Sequence, residues 1–572
     1  MTKPLLRLVA SYSDQTKALV QRFCRALPLG LQYEDRLREE LSIIEKKNFI
    51  KCFNQVTDIV ELTRAKRIPH ILRGSGASSL VSYLLGITDI DPVKENMILA
   101  RFMSEHRDDQ PDIDLDYPHW IRDDILKELY KKWPNRVARI SNDVKYKEKS
   151  ALREILKKHG VTGRIPKYFK ISDYFSDPQK QYQIQKEAKE LEGQHRYWSL
   201  HCGGVIVYDN EIPQNLKMKD NQIQLTKYDV EEQNLIKIDV LCNRGLSQLW
   251  ELDNRPLNEY PYEDKEVAKL LAEGDVIGLT QAESRTMRKT FVALKPKNYH
   301  DVALCLALIR PAAADGGRKA AYFRDHEKTK MMIYDDDSIA YIAETIGCSF
   351  GEADKYRRAF KKGKVRMIND FLKRYESRNT EEPMIQLNEL HKYSYCKGHA
   401  IAYGQLVWAL AYHKVYNTKK FWEATIKHCH SSYRRWVHKA EAQRAGVHVH
   451  NKLRQLHPIE QFYKQGWWSG DFLPDCELRV LEDGRIFYRG IVANSRRLWL
   501  GKISVTFVTL GFDFGEYVDI VVHHGKWKGN YKVISGIGRV KKKHDSIYIE
   551  TDEMYPTQFN LNAVMQQLQL LG

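Results

Sequence analysis

The chain has 572 residues, 43% hydrophobic and 29% charged, a length that suits several folded domains better than one core. Lys and Arg number 91 against 74 Asp and Glu, and the formal charge of +17 favours a polyanionic partner, nucleic acid or an anionic membrane, with a basic solubilising surface as the alternative. No apolar run approaches the ~20 residues that span a bilayer, the N-terminus MTKPLLRLVASYSDQTK has no signal-peptide pattern, and nine scattered cysteines without a C-x-x-C pair argue against a disulfide framework or a zinc ribbon and suit a reducing cytoplasm.

In chain order, residues 33–66 carry apolar positions at spacings of three and four, which predicts two amphipathic helices. IPHILRGSGASSLVSYLLGITDIDP then reads as a short strand, a Gly-rich turn and a helix beginning near Ala77. PDIDLDY, residues 111–117, is a strand, followed by a charged helix over 121–133. Residues 146–195 are strongly polar and read as helices of a small projecting subdomain. LHCGGVIVY returns to strand character, and LTKYDVEEQNLIKIDVL continues it through Leu241. From Ser247 to about Tyr416 the pattern is mainly helical, with basic clusters such as KYRRAFKKGK. Four short β segments within 499–553 predict a small barrel.

In a strand, positions i, i+2 and i+4 share a face, so Asp112, Asp114 and Asp116 point together while Ile113 and Leu115 point into packing. Carboxylates this close raise one another's pKa unless a positive group intervenes, and a pair of Mg²⁺ ions is a natural solution because Mg²⁺ prefers oxygen ligands and phosphates. Taken alone, D-x-D is a weak signal, and a solvated edge strand with unrelated acids is its other reading. LIKIDVL adds Asp239 in an apolar stretch, where an unpaired carboxylate is costly. Lys237, on the same strand face, is either its salt-bridge partner or a phosphate ligand. R-G-S-G, residues 73–76, permits a tight turn in which Ser75 and backbone N–H groups face phosphates, although it lacks the G-K-[ST] of a Walker A loop.

The order of these features resembles the palm of nucleotidyltransferases related to polymerase β. RGSGASSLVSYLLGITDIDP followed by ARFMSEHRDDQPDIDLDY is more specifically similar to bacterial replicative DNA polymerase III alpha subunits, the C-family polymerases. LHCGGVIV, LIKIDVLCNRGL, GLTQAESRTM, ALIRPAAADGG, MMIYDDDSIAYIAETIGCSFGEADKYRRAFKKGK and YCKGHAIAYGQLVWALAYHK follow in that family's order, so the resemblance covers roughly residues 33–425. It implies a multidomain α/β + β architecture. The expected divisions are an N-terminal extension (1–32), a palm in two parts (33–145 and 196–243), a helical thumb (146–195), fingers (244–425), a helical and linking region (426–498), a C-terminal OB-fold β-barrel (499–553) and a tail (554–572).

The resemblance also assigns roles. Asp114, Asp116 and Asp239 become the catalytic, metal-binding carboxylates for two Mg²⁺ ions, with Mn²⁺ as a substitute, and Asp112 becomes a supporting residue without a ligand role. Gly74, Ser75, Arg101, Arg107, Lys237, Arg310, Arg357, Arg358, Lys361, Lys362, Lys397, His399 and Tyr403 become nucleotide contacts, with a packed structural histidine as the other reading of His399. Three departures stand out. Nothing upstream of Tyr33 matches the large N-terminal histidinol-phosphatase-like domain of cellular members, so no associated metal-cluster proofreading is expected. RPAA (310–313) replaces R-P-G-P, and the acid-rich DDQ follows Arg107.

In the expected OB-fold, Tyr517, Trp527 and Tyr531 interleave with Lys526, Lys528 and Lys532, and Arg539, Lys541, Lys542 and Lys543 follow, a pattern suited to single-stranded DNA or to barrel core and solvated turns. The terminal QLQLL, with Gln567, Leu568, Leu570 and Leu571, resembles a sliding-clamp-binding peptide, against the alternative of a helix packing its leucines on the barrel. The expected reaction is template-directed addition of deoxynucleoside monophosphates to a primer 3′-hydroxyl. The partners are primer-template DNA, deoxynucleoside triphosphates, a clamp and a separate proofreading exonuclease or other replisome proteins, with no membrane, in a bacterial cytoplasm and with a compact form suggestive of a phage or mobile element. The competing readings are a non-catalytic DNA-binding or organising subunit and a template-independent or repair nucleotidyltransferase.

Overall fold

The computed structural model describes residues 3–107, 110–166, 168–309, 322, 332–377, 390, 395–428, 435–447, 477–500, 503–511, 517–523, 527, 533–543 and 546–556. Asp108, Asp109, the RPAA turn with Arg310, Lys526, Lys528, Tyr531, Lys532 and the four peptide residues Gln567, Leu568, Leu570 and Leu571 lie outside them, as do the side chains of Tyr517, Lys542 and Lys543.

A five-stranded sheet forms the centre. Its strands are β1 (Ile71–Arg73), β2 (Ile113–Tyr117), β3 (Val137–Lys145), β4 (His195–Val207) and β5 (Lys237–Cys242), in the spatial order β1-β2-β5-β4-β3. Only β2 and β5 run parallel; the other neighbours are antiparallel. The expected alternation holds on both parallel strands. Ile113, Leu115 and Tyr117 with Ile238 and Val240 turn into a core with the helices Ile50–Arg64 and His119–Lys132. Full burial of each such side chain contributes roughly 1.5–3 kcal/mol. The opposite face receives the aspartates.

The helix pair at 33–66 appears as Leu31–Lys46 and Ile50–Arg64. The polar segment 146–195 leaves the sheet at the end of β3 and returns at the start of β4, where Lys145 pairs with His195. Its helices Glu148–Lys158 and Pro178–Leu191 share a small core of Ala151, Ile155, Leu156, Ile184 and Ala188.

Two local expectations are corrected. The Gly-Ser turn is a 3₁₀ segment, Gly74–Ser78, and the α-helix starts only at Leu80, because the Ser79 hydroxyl accepts the Ser82 N–H and caps it there. The stretch before Asp239 is not continuous strand: Thr226 and Asp229 form a capping box that starts the helix Lys227–Glu232, and β5 begins at Lys237.

Residues 244–428 are mainly helical among those described, packed around the long, buried helix Lys397–Tyr416. Gly398 is needed there, since a Cβ would lie 2.9 Å from the Ala77 methyl and 3.3 Å from the Gly74 carbonyl oxygen. The Gly-Ser turn therefore rests directly on this helix.

The C-terminal β region is larger than four segments. Its strands are β6 (Glu477–Val480), β7 (Ile486–Leu500), β8 (Ile503–Gly511), β9 (Tyr517–Val522), β10 (Val533–Lys543) and β11 (Ser546–Pro556). The pairings β7-β8-β9-β11-β10 close back onto β7, with β9 and β11 parallel and β6 added at the side of β7. Closure leaves no free edge in the ring of five strands. Trp499 at the end of β7 meets Tyr168 of the projecting subdomain with ring centroids 5.9 Å apart, and Asp519 of β9 pairs with Arg285.

Candidate active site

The parallel register sets Asp114 beside Asp239 and Asp116 beside Leu241. One carboxylate oxygen from each of Asp112, Asp114 and Asp239 can be chosen such that all three lie within 4.8 Å of one another. Asp116 does not join this trio, although it shares the strand face. Its Oδ2 accepts hydrogen bonds from the Tyr403 hydroxyl and, at 2.9 Å, from Asn243 Nδ2. Arg73, which stands opposite Asp114 in β1, places Nε 3.8 Å from Asp114 Oδ2 and 3.6 Å from Asp116 Oδ1. Asp112, expected only to support the site, thus stands with the metal-competent oxygens, and Asp116 is the acid most firmly tied to protein donors.

Asn243 serves two elements. Its Oδ1 accepts the Leu246 N–H and caps the helix Arg244–Leu252, which aims its Nδ2 at Asp116. Lys237 takes the ion-pair reading, with Nζ 2.6 Å from Asp239 Oδ2 and 3.2 Å from Asp112 Oδ1. His201 Nδ1 accepts the backbone N–H groups of Gly203 (3.3 Å) and Gly204 (2.8 Å) and lies 3.7 Å from Asp239 Oδ1. Those bonds place the proton of the neutral ring on Nε2.

Among the described residues, charge on this face is unbalanced: four carboxylates meet two cations. Burial, then the carboxylates of Asp112 and Asp239, push the Asp114 carboxyl up to about 7 against the opposing pull of Arg73 and Lys237. Burial also raises Asp116, outweighing Arg73, Tyr403 and Asn243. Lys237 is raised, its carboxylate neighbours outweighing burial. Asp239 Oδ1 and Asp116 Oδ1 are buried without a hydrogen-bond partner among the described residues. Unpartnered carboxylate oxygens are costly in protein alone, and a convergent set of hard oxygen donors fits a divalent cation such as Mg²⁺.

Six of the expected nucleotide contacts separate into two groups. Arg101, Arg357 and Lys361 converge on one carboxylate, Asp335. Arg107, Arg358 and Lys362 line a cavity of about 180 Å³ with Asp354, Lys355 and Lys364. Gly74 has a positive φ of 74° with nothing near its Cα side, so the turn's backbone is open to close approach. Lys397 donates to the Asn96 carbonyl oxygen at 3.4 Å. His399 stacks on Tyr403, with centroids 4.6 Å apart.

In the barrel, Trp527 is 7% exposed and packs in the core with Tyr488 and Val508, so it offers no open face for stacking. Arg539 and Lys541 are exposed and sit near Asp552 (3.5 Å) and Glu550 (3.8 Å). Sequence reasoning missed Arg73, His201, Asn243 and Asp335. Arg73 carries a local signal, as the cation that ends the strand before the glycine turn; the other three depend on long-range packing.

The family model described as the bacterial DNA polymerase III alpha NTPase domain matches residues 13–242, and that of the bacterial DNA polymerase III alpha subunit finger domain matches residues 244–382. The first match contains every acid of the site, and the second begins at the helix that Asn243 caps. A protein named error-prone DNA polymerase from Anaeromyxobacter dehalogenans is 28% identical over 461 residues, covering 68% of this chain and 40% of that protein. The DNA polymerase III subunit alpha of Thermotoga maritima is 28% identical over 423 residues, covering 70% and 47% respectively. An error-prone DNA polymerase from Saccharophagus degradans is 30% identical over 372 residues, covering 56% and 36%. The chain therefore spans less than half the length of these relatives.

Proposed function

We propose that this chain, which belongs to the bacterial DNA polymerase III alpha family, is a template-directed DNA polymerase that adds deoxynucleoside monophosphates to a primer 3′-hydroxyl. The observation that carries the reading is the meeting of Asp112, Asp114 and Asp239 on adjacent parallel strands, beside a Gly-Ser turn and a cation-lined fingers region. In this reading residues 33–145 and 196–243 are the palm, 146–195 the thumb and 244–425 the fingers. The barrel is an OB-fold, a reading supported by its closed five-strand ring and parallel β9–β11 pair.

Asp114 and Asp239, with Asp112, would hold divalent cations, and Asp116 Oδ1, which accepts no hydrogen bond among the described residues, would be open to the same site. A divalent cation held by these carboxylates would supply a lowered pKa for the primer hydroxyl and charge neutralisation on the transferred phosphate. Arg73, Asn243 and Tyr403 orient Asp116 and oppose the rise that burial imposes on its carboxyl. Lys237 limits the repulsion between Asp112 and Asp239. Gly74 and Ser75 present open backbone to the triphosphate, and Arg107, Arg358 and Lys362 supply positive charge, so that positioning and electrostatics provide most of the catalysis. Single-stranded DNA on the barrel, a sliding clamp bound by residues 567–571 and a separate proofreading enzyme complete the proposal.

The test is primer extension by the purified chain on a defined template with Mg²⁺. The wild type extends according to template, and Asp239→Asn binds primer-template but does not extend. Addition without template, or robust extension by Asp239→Asn, overturns the reading.

A further inference from the structure

Residues 335–337 are three consecutive aspartates at the start of the helix Asp335–Ile346, and each has a different partner. Asp337 Oδ2 accepts the N–H groups of Ile333 and Tyr334, which caps the helix. Asp336 Oδ1 accepts the Ile98 N–H at 2.9 Å, which ties the fingers to the palm loop. Asp335, 2% exposed, receives three cations among the described residues: Arg101 Nε at 2.6 Å, Lys361 Nζ at 2.5 Å and Arg357 Nη1 at 3.4 Å. Arg101 comes from the palm loop, and Arg357 and Lys361 from the helix Phe350–Lys362.

The three cations are not equally occupied. Arg357 is also bound by Asp354, at 2.8 Å through Nε and 2.7 Å through Nη2, and is 4% exposed. Arg101 reaches Asp335 through Nε alone. Its two Nη groups make no hydrogen bond among the described residues, and its side chain is 21% exposed. The backbone of Arg101 is pinned as well, since its carbonyl oxygen accepts from Arg107 Nη1 at 2.8 Å. Arg101, Arg357 and Lys361 face two carboxylates, Asp335 and Asp354, with Asp336 and Lys397 nearby, and the cavity of Arg107, Arg358 and Lys362 adjoins them through Asp354. The long helix links this cluster to the acidic centre: Cys396, beside Arg101, and Tyr403, on Asp116, are seven residues apart, about 10 Å of helix.

We propose that Asp335 is a positioning residue for the incoming nucleotide: it fixes Arg101 through Nε so that the open Nη edge of the guanidinium faces the triphosphate. This rests on the polymerase reading for the identity of the anion. A guanidinium held on one edge keeps a two-pronged donor edge for phosphate, and little ordering remains to be done when the phosphate arrives.

The test uses the full chain with Asp335→Asn, Arg101→Gln and the double variant. It reads KM for deoxynucleoside triphosphate, kcat, and calorimetric binding of inorganic tripolyphosphate in EDTA. Asp335→Asn raises KM at least tenfold with kcat within about threefold, weakens tripolyphosphate by a similar factor, and adds little to either quantity in the Arg101→Gln background. A folded Asp335→Asn with unchanged KM and tripolyphosphate affinity, or effects that multiply in full with those of Arg101→Gln, overturns the proposal. Should Asp335→Asn fail to fold, Arg101→Gln decides alone: an unchanged tripolyphosphate affinity overturns the proposal, and a tenfold loss supports it. A wild type that extends no primer refutes the polymerase reading, while the tripolyphosphate measurement still judges Asp335.

Discussion

The helix Lys397–Tyr416 passes two ionic sites of opposite imbalance. Near Tyr403, the carboxylates of Asp112, Asp114, Asp116 and Asp239 outnumber Arg73 and Lys237. Near Cys396, among the ion pairs of the described residues, Arg101, Arg357 and Lys361 converge on Asp335 and Asp354. A balanced buried ion set only joins elements, whereas an unbalanced one costs folding free energy until a ligand of the opposite sign arrives. The contrast separates the carboxylates by role: those of the sheet repel one another, while Asp335 holds cations together and is itself held well below the usual carboxylate range by Arg357, Arg101 and Lys361 despite its burial.

The largest test of that contrast is one substitution at each site. Asp114→Asn should cut primer extension by about 10³-fold or more, because the removed oxygen acts where positioning and charge supply the rate. In EDTA the same variant should be more stable than wild type by about 1 kcal/mol, since it removes one of the repelling acids. Asp335→Asn should have the opposite effect on stability, a loss of about 3–5 kcal/mol, because it leaves buried cations uncompensated. Thermal unfolding in EDTA checks both, and shifts of the same sign would break the comparison.

A smaller effect is expected within the acidic centre. Tyr403→Phe removes one of the two donors to Asp116 Oδ2 and leaves Asn243. Loss of a hydrogen bond to a buried charged group costs about 1–3 kcal/mol, so extension should slow roughly 10- to 100-fold. The nucleotide KM should change little if Tyr403 acts on Asp116 alone and phosphate is met by Arg101, as proposed. A Tyr403→Phe variant that raises KM and spares kcat would move Tyr403 into the cation cluster's role.

The alternation in PDIDLDY was enough to place the acids on one face and Ile113 and Leu115 in the core, and the apolar run LIKIDVL was enough to place Asp239 on a strand, which proves to be the neighbour of β2. The grouping of the acids was not legible. Asp116 is drawn away by Tyr403, 287 residues distant, and Asp112 is drawn in by Lys237 across the strand pair. Such contacts depend on which strands become neighbours, and spacing along one strand carries none of that. Asp335 was hidden for a different reason: acids in the first turn of a helix are favoured by its dipole, so DDD reads as a helix start. Trp527 alternates with lysines as a stacking residue would, yet chain closure turns it into the barrel core. The start of β5 was misjudged because a capping box at Thr226 outweighs the apolar character that follows it.

The long helix carries its own control, far from either unbalanced site. His413 Nδ1 accepts from Asn417 Nδ2 at 2.8 Å, so Nε2 carries the proton and faces the Tyr260 hydroxyl at 2.8 Å. Burial outweighs the distant pull of Asp253 and depresses the imidazole to about 4. The folded state thus binds fewer protons than the unfolded state, whose histidine titrates near 6.5. The stability from this neutral ring is complete above about pH 6.5 and is lost as pH falls toward 4, a difference of about 3 kcal/mol. Denaturant unfolding at pH 7 and pH 4.5 should show this loss, and His413→Gln should reduce the pH dependence while leaving tripolyphosphate affinity at pH 7 unchanged. A change in that affinity would mean that the helix transmits strain between its stations, and the two ionic sites could then no longer be read as independent.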